Sequence, residues 1–298
     1  MPNSTDPVIS RVLMEKRQAH QTRKRLFVQL EHELGRPVVS YFTSFTAGAS
    51  IDDSDADIMQ GILQKLDLSR GLALLISSPG GSGLAAERMI NVCRTYSGTG
   101  EYWAIVPGKA KSAATMICFG AAKILMGATS ELGPIDPQVP VEEDGKFRWY
   151  SAHNIVQSYR ELFDRAVAAK GNLEPFLQQL AHYDEREIAE YASQIELAKD
   201  IAVRTLRQGM MQGCSEEDIE AKIGMFLTPS TTKTHGRPIF PAEARNCGLK
   251  VDEISGESRT WELIYELYIR TNEFLWQNAA KAIESSKHAF SQSARGGS

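Results

Sequence analysis

The chain has 298 residues, 42% hydrophobic and 23% charged, with a formal net charge of −4. That is enough polypeptide for one large domain with a real core, and the acidic balance argues against a dedicated nucleic-acid binder. The uncharged run at residues 112–122 is too short to span a bilayer. The N-terminus lacks the basic-then-apolar pattern of a secretory leader, so no stable membrane insertion is expected. The four cysteines (Cys93, Cys118, Cys214 and Cys247) are scattered without a CxxC pair. They read as reduced, mostly buried thiols of a cytoplasmic protein, not as metal ligands.

Residues 1–36 are polar and of mixed charge, and RVLMEKRQAHQTRKRLFVQLEHEL predicts one helix that ends at Gly35. Its basic middle (Arg17, Arg23, Lys24, Arg25) suits a solvated face against a partner subunit, or else a membrane surface or nucleic acid. VVSYFTSF (38–45) alternates as a strand should. DDSDADIMQGILQKL (52–66) starts with capping residues and puts Ile58, Ile62, Leu63 and Leu66 on one helical face. LALLIS (72–77) is a strand buried on both faces. SPGGSG breaks it, and LAAERMINVCRTY resumes as helix. YWAIVPG (102–108), SAATMICFGAA (112–122) and KILMG (123–127) then read as strand, helix and short strand. Strand and helix therefore alternate over 38–127, which requires crossover connections and a largely parallel sheet.

Beyond residue 150 the pattern turns helical, with helices expected at 154–169, 173–181, 185–209 and 215–224. The loop LTPSTTKTHGRPIF (227–240) leads to the short helix PAEARNCG, closed by Gly248, and to the strand-like LKVDEI. A last amphipathic helix, WELIYELYIRTNEFLWQNAAKAI, precedes a tail expected to be disordered. No internal repeat is visible. The first and last helices carry large apolar residues, among them Trp261, Tyr265, Tyr268 and Trp276, in excess of what a lone surface helix needs. That excess predicts a homo-oligomer.

Three segments can carry chemistry. SPGG sits between a buried strand and a helix, where adjacent glycines let backbone approach an oxyanion and a helix N-terminus points at it. Ser112 opens a helix just after a strand, as an N-cap or as a nucleophile beside unpaired N–H donors. In SELGPIDPQV (130–139), Asp136 lies in a rigid apolar loop, either capping a turn or placed as a functional carboxylate.

This order of strand, SPGG, helix, strand and helix-start serine resembles the Clp-fold serine peptidases, which include the Clp protease proteolytic subunit and signal peptide peptidase A. The likeness spans roughly residues 38–254. Within that group the chain is most similar to the serine dehydrogenase proteinase family, through SPGG followed by LAAE, Ser112 with small residues and Thr-Met-Ile, LGPIDPQ, and KTHGRPIFPAEARNCGL. The resemblance implies a Clp/crotonase-like α/β fold with added N- and C-terminal helices, and a serine endopeptidase acting on unfolded or flexible polypeptides. It implies Ser112 as nucleophile, the N–H groups of Gly81 and Ala113 as oxyanion hole, substrate held along Ser78, Pro79 and Gly80, and no cofactor or metal. Many relatives begin with a hydrophobic anchor, and this chain begins with a charged helix.

The base departs from the Clp pattern, because aspartate and histidine stand exchanged. Asp136 lies where a histidine is expected and His235 where an aspartate is. A Ser112–His235–Asp136 triad is chemically admissible, since triads are defined by geometry and not by chain order. His235 would take the serine proton, so activity would rise with pH. A lysine base, as in signal peptide peptidase A, would fall on Lys146, Lys199 or Lys233, although Lys146 sits in a charged hairpin turn. Two other functions stay open: a crotonase-type acyl-CoA enzyme, and an inactive scaffold or peptide-binding module. The expected layout is a helical extension (1–36), a peptidase domain (37–254), a C-terminal helix (255–284) and a tail (285–298). Whether a regulatory partner protein gates the site is not written in the sequence.

Overall fold

The computed structural model describes residues 20–46 and 49–293. Helix α1 (His20–Leu34) leads to β1 (Val38–Thr43), α2 (Asp53–Leu63), β2 (Leu72–Ser77), α3 (Gly83–Tyr96) and β3 (Tyr102–Val106). Then come β4 (Lys109–Ala110), α4 (Ala113–Phe119), β5 (Lys123–Met126), β6 (Glu131–Leu132), β7 (Gln138–Glu143) and β8 (Lys146–Ser151). The helical part holds α5 (Ala152–Ala168), α6 (Glu174–Leu180), α7 (Glu185–Arg207), α8 (Glu216–Lys222), α9 (Gly224–Leu227), α10 (Pro229–Thr232) and α11 (Pro241–Asn246). The chain closes with β9 (Val251–Glu253), α12 (Arg259–Asn278), β10 (Lys281–Ser285) and β11 (Ala289–Gln292).

The main sheet has seven strands in the order β11-β10-β1-β2-β3-β5-β9. From β1 to β9 every pairing is parallel, and only the two pairings of β10, with β1 and with β11, are antiparallel. The fold is thus the expected α/β one, built on a largely parallel sheet. Successive strand residues face opposite sides. Val39, Tyr41, Leu74, Ile76 and Val106 pack with Met59, Met89 and Ile117 on the side of α2, α3 and α4. Val38, Phe42, Leu75 and Ile105 pack with Phe27, Leu30, Ile264 and Leu267 of α1 and α12 on the other. The first and last helices therefore spend their apolar stripes on the sheet's second face. Trp261 and Tyr268 are packed there, while Tyr265 and Trp276 stay exposed.

Two expectations need correction. The last helix stops at Asn278, the residues read as its end form β10, and the tail taken as disordered supplies β11. KAIES hides its strand character because Lys281 and Glu284, both polar, are buried by ion pairing. Lys281 Nζ reaches Asp55 Oδ2 at 2.9 Å and Asp52 Oδ2 at 2.5 Å, and Tyr41 donates its hydroxyl to Asp55. Arg23 is also misread as part of a solvated basic face. It is fully buried, sending Nε (2.7 Å) and a terminal nitrogen (2.6 Å) to the two oxygens of Glu284. Arg17 and the start of that helix lie outside the described residues.

Residues 138–151 form a separate two-stranded hairpin whose Asp144-Gly145 turn has both φ angles positive (51° and 72°), as a type I′ turn requires. Among the described residues no helix is long and apolar enough to cross a membrane, and no cluster of three metal-type side chains occurs. All four cysteines are free.

The bidentate Arg23–Glu284 pair sets a stability test. Glu284→Gln takes the bidentate carboxylate away from the buried Arg23 guanidinium, and breaking such a pair costs about 3–5 kcal/mol. Urea denaturation should register that loss.

Candidate active site

The site begins with two glycines that no other residue could replace. Gly80 (φ +111°) and Gly81 (φ +150°) follow β2. A Cβ on Gly80 would lie 2.6 Å from Ser112 Cβ and 2.8 Å from the Lys111 carbonyl, and one on Gly81 would lie 2.4 Å from the Ile51 backbone. Ile51 N–H donates to Gly80 O (2.8 Å) and Ser82 N–H donates to Ile51 O (2.9 Å). Those bonds engage the neighbours of Gly81 and leave its own N–H unpaired among the described residues.

Short pairings bring Ser112 to this turn. Ser78 N–H donates to Lys109 O (3.1 Å), and Lys111 N–H donates to Ser78 O (2.9 Å). The Ser78 hydroxyl accepts from Thr43 Oγ1 (2.7 Å) and from Gly80 N–H (3.1 Å). Ser78 is wholly buried with these groups engaged, so the expected substrate contact at this residue is corrected to a structural brace. Pro79 and Gly80 do line the cleft.

Ser112 has φ 51° and ψ −122° and makes no side-chain cap to α4. The N-cap alternative therefore has no hydrogen bond behind it. A non-glycine residue in this region is strained, and a strained serine at a strand-to-helix turn is the geometry of a nucleophile elbow. Ala113 N–H, at the first position of α4, also lacks a partner among the described residues. Thr115 adds a support that sequence reasoning missed: its buried hydroxyl donates to Ala110 O (2.8 Å) and accepts Gly133 N–H (3.1 Å). It ties the helix start to the LGPIDPQ loop.

Asp136 and His235, 99 positions apart, meet with Nδ1 2.8 Å from Oδ1. An antiparallel bridge between Leu132 and Ile239 brings their two loops together, with N–H to O distances of 3.0 and 3.1 Å. Ile135 N–H is held by Phe226 O at 2.7 Å. The Asp136 side chain is fully covered and that of His235 is 26% exposed. Because the carboxylate can only accept, Nδ1 carries the hydrogen, and in the neutral ring Nε2 then holds the lone pair.

Ser112, Ala113, Gly81 and His235 line one cleft of about 780 Å³. Ser112 Oγ and His235 share it without a direct hydrogen bond. Free enzymes often show such loose contacts.

None of the three candidate lysines reaches this cleft. Lys146 is exposed on the hairpin. Lys233 bonds to Ser230 O. Lys199 pairs with Glu196 at 2.6 Å, and that contact holds its ammonium above the usual lysine range, the wrong direction for a base. Lys111 turns away from Ser112 to Glu131 (2.9 Å) and Leu132 O (3.0 Å). Cys118 lies on α4 but is fully buried, which pushes its thiol pKa up.

Parallel strands, crossover helices and a helix-start serine beside a double-glycine turn define a ClpP-like α/β protein. Over residues 14–161 the chain is similar to the ClpP-like SDH-type serine proteinases. It is also similar to the uncharacterized protein MJ0137 of Methanocaldococcus jannaschii, at 28% identity over 251 residues, covering 81% of this chain and 72% of the relative. A second protein of that organism, the uncharacterized MJ1495, is 29% identical over 127 residues, 42% of this chain and 37% of the relative. The matched family segment contains Gly81, Ser112 and Asp136 and stops short of His235.

Backbone strain at Ser112 gives a test that separates folding from chemistry. Ser112→Gly should raise stability by about 1 kcal/mol, since glycine adopts this φ without strain. Ser112→Ala should give no such gain. Chemical denaturation of the two variants side by side decides it.

Proposed function

We propose that this protein is a serine endopeptidase in which Ser112 attacks the scissile carbonyl and His235 Nε2 accepts the serine proton. Asp136 holds the imidazole tautomer and balances the imidazolium that forms. The tetrahedral oxyanion receives the N–H groups of Gly81 and Ala113. Collapse expels the amine, which takes the proton from His235, and leaves an acyl-enzyme. Water, deprotonated by the same imidazole, then releases the acid and restores Ser112.

The buried Asp136–His235 pair opening on the cleft of Ser112 carries this reading. The cleft also speaks to substrate. Its lining is apolar or neutral, with Leu84, Met116, Trp149, Leu197 and Ile201, and no lysine, arginine, aspartate or glutamate among its described residues. A terminal carboxylate or ammonium finds no counter-charge there, so internal, uncharged, apolar segments fit best. Extended polypeptide would lie along Pro79 and Gly80 at the wall of the cleft. The absence of basic lining also disfavours an acyl-CoA ligand, whose phosphates need cations. The reaction needs neither cofactor nor metal.

A homo-oligomer is part of the proposal, on a different surface from the first and last helices. Helix α6 buries none of its side chains, and Phe163, Val167, Leu173 and Leu177 stand exposed on and between α5 and α6. Free thiols fit a cytoplasmic location.

A fluorophosphonate should label the wild-type protein at Ser112, and a fluorogenic casein-type substrate should be cleaved. Ser112→Ala should abolish labelling, and His235→Ala should cut hydrolysis by roughly 10³-fold or more. Wild-type hydrolysis that survives His235→Ala unchanged would remove histidine from the mechanism. A folded wild-type protein that neither labels nor cleaves would favour the scaffold. In light scattering, Leu177→Asp together with Val167→Asp should shift an oligomer toward the 33.0 kDa chain.

A further inference from the structure

His235 occupies only one oxygen of Asp136. The other, Oδ2, accepts the side-chain amide of Gln138 at 2.8 Å. The carboxylate is covered by protein, and no lysine or arginine pairs with it among the described residues. A buried carboxylate left without partners is costly. The imidazole and the amide are therefore the two side chains that stabilise it. Since a carboxylate oxygen donates nothing, Gln138 must present its N–H and not its carbonyl, which fixes the orientation of the amide.

The local sequence explains why this donor is in place. In Asp136-Pro137-Gln138 the proline fixes φ of the middle residue, and extended backbone returns side chains to the same side every second residue. Gln138 is the first residue of β7, in register with Ser151, and Pro137 O accepts Ala152 N–H at 2.9 Å. The amide thus hangs from an anchored backbone, while Asp136 Oδ1 faces a partly exposed histidine on a loop.

We infer that Gln138 is a positioning residue: by clamping Asp136 Oδ2 it aims Oδ1 along the Nδ1–H direction of His235. This rests on the Ser112–His235–Asp136 reading above. Without the clamp the carboxylate can rotate about its Cβ–Cγ bond, and the imidazole loses the acceptor that fixes its plane and tautomer. The clamp acts through Asp136 and not on the reacting atoms, while the rest of Gln138 lines the cleft wall.

The test is Gln138→Met, which keeps length and removes both amide donors. Turnover of the fluorogenic substrate should fall about tenfold or more, as when an outer hydrogen-bond partner of a catalytic group is lost, with KM changed less than twofold. In proton NMR, the wild-type protein should give a low-field Nδ1–H signal, assigned by its loss in His235→Ala. That signal should move or vanish in Gln138→Met while the variant, though less stable, stays folded at the assay temperature. If Gln138→Met loses its fold, Gln138→Asn, whose amide falls one methylene short, serves for the same comparison. Wild-type turnover together with an unmoved low-field signal would overturn the inference. A wild-type protein without hydrolysis would instead defeat the peptidase reading, and the low-field signal and its response to Gln138→Met would still report on the clamp.

Discussion

A missing Cβ holds the site together. At Gly80 two backbone segments, the turn after β2 and the approach to α4, lie so close that any side chain would collide with Ser112 Cβ and the Lys111 carbonyl. That contact sets Ser112 and the free N–H groups of Gly81 and Ala113 around one point. It also forces Ser112 to φ 51°, at a cost of about 1–3 kcal/mol. Burial of every residue of α4, the Ser78 brace and the Thr115 bonds offset that strain. The loop is rigid because its neighbours over-determine it, and its strain is stored where chemistry would use it.

Much of this fold is legible in the sequence, for a physical reason. Parallel strands buried on both faces must be continuously apolar, as LALLIS and YWAIV are, and crossover helices must alternate with them. Polar strands escape such reasoning. In KAIES a lysine and a glutamate sit in the sheet because Asp55 and Arg23 wait for them across the core. A charge pattern that looks like the end of a surface helix at Lys281 and Glu284, and like a solvated helix at Arg23, is two buried ion pairs, one on each face of the sheet.

The site divides along a similar line. Ser112, Gly81 and Ala113 are readable because their geometry is local: a strand, a turn and a helix start. The pairing of Asp136 with His235 is readable only as chemistry, since nothing short-range links positions 99 residues apart. What joins them is the Leu132–Ile239 bridge, too brief to leave any alternation in the sequence. Ser78 is misread because a serine beside a glycine pair looks available, whereas its hydroxyl and backbone are consumed within the protein. Thr115 and Gln138 carry no signal beyond their motifs, and only the three-dimensional partners of their hydrogen bonds reveal them.

The place of β10 has a consequence for biogenesis. It is drawn from the end of the chain yet lies in the interior of the sheet, beside β1 from the beginning. β1 can pair with β10, and Asp55 can meet Lys281, only after everything between them has been made. Strand pairing between segments so far apart in the chain slows folding relative to a sheet built from neighbouring hairpins.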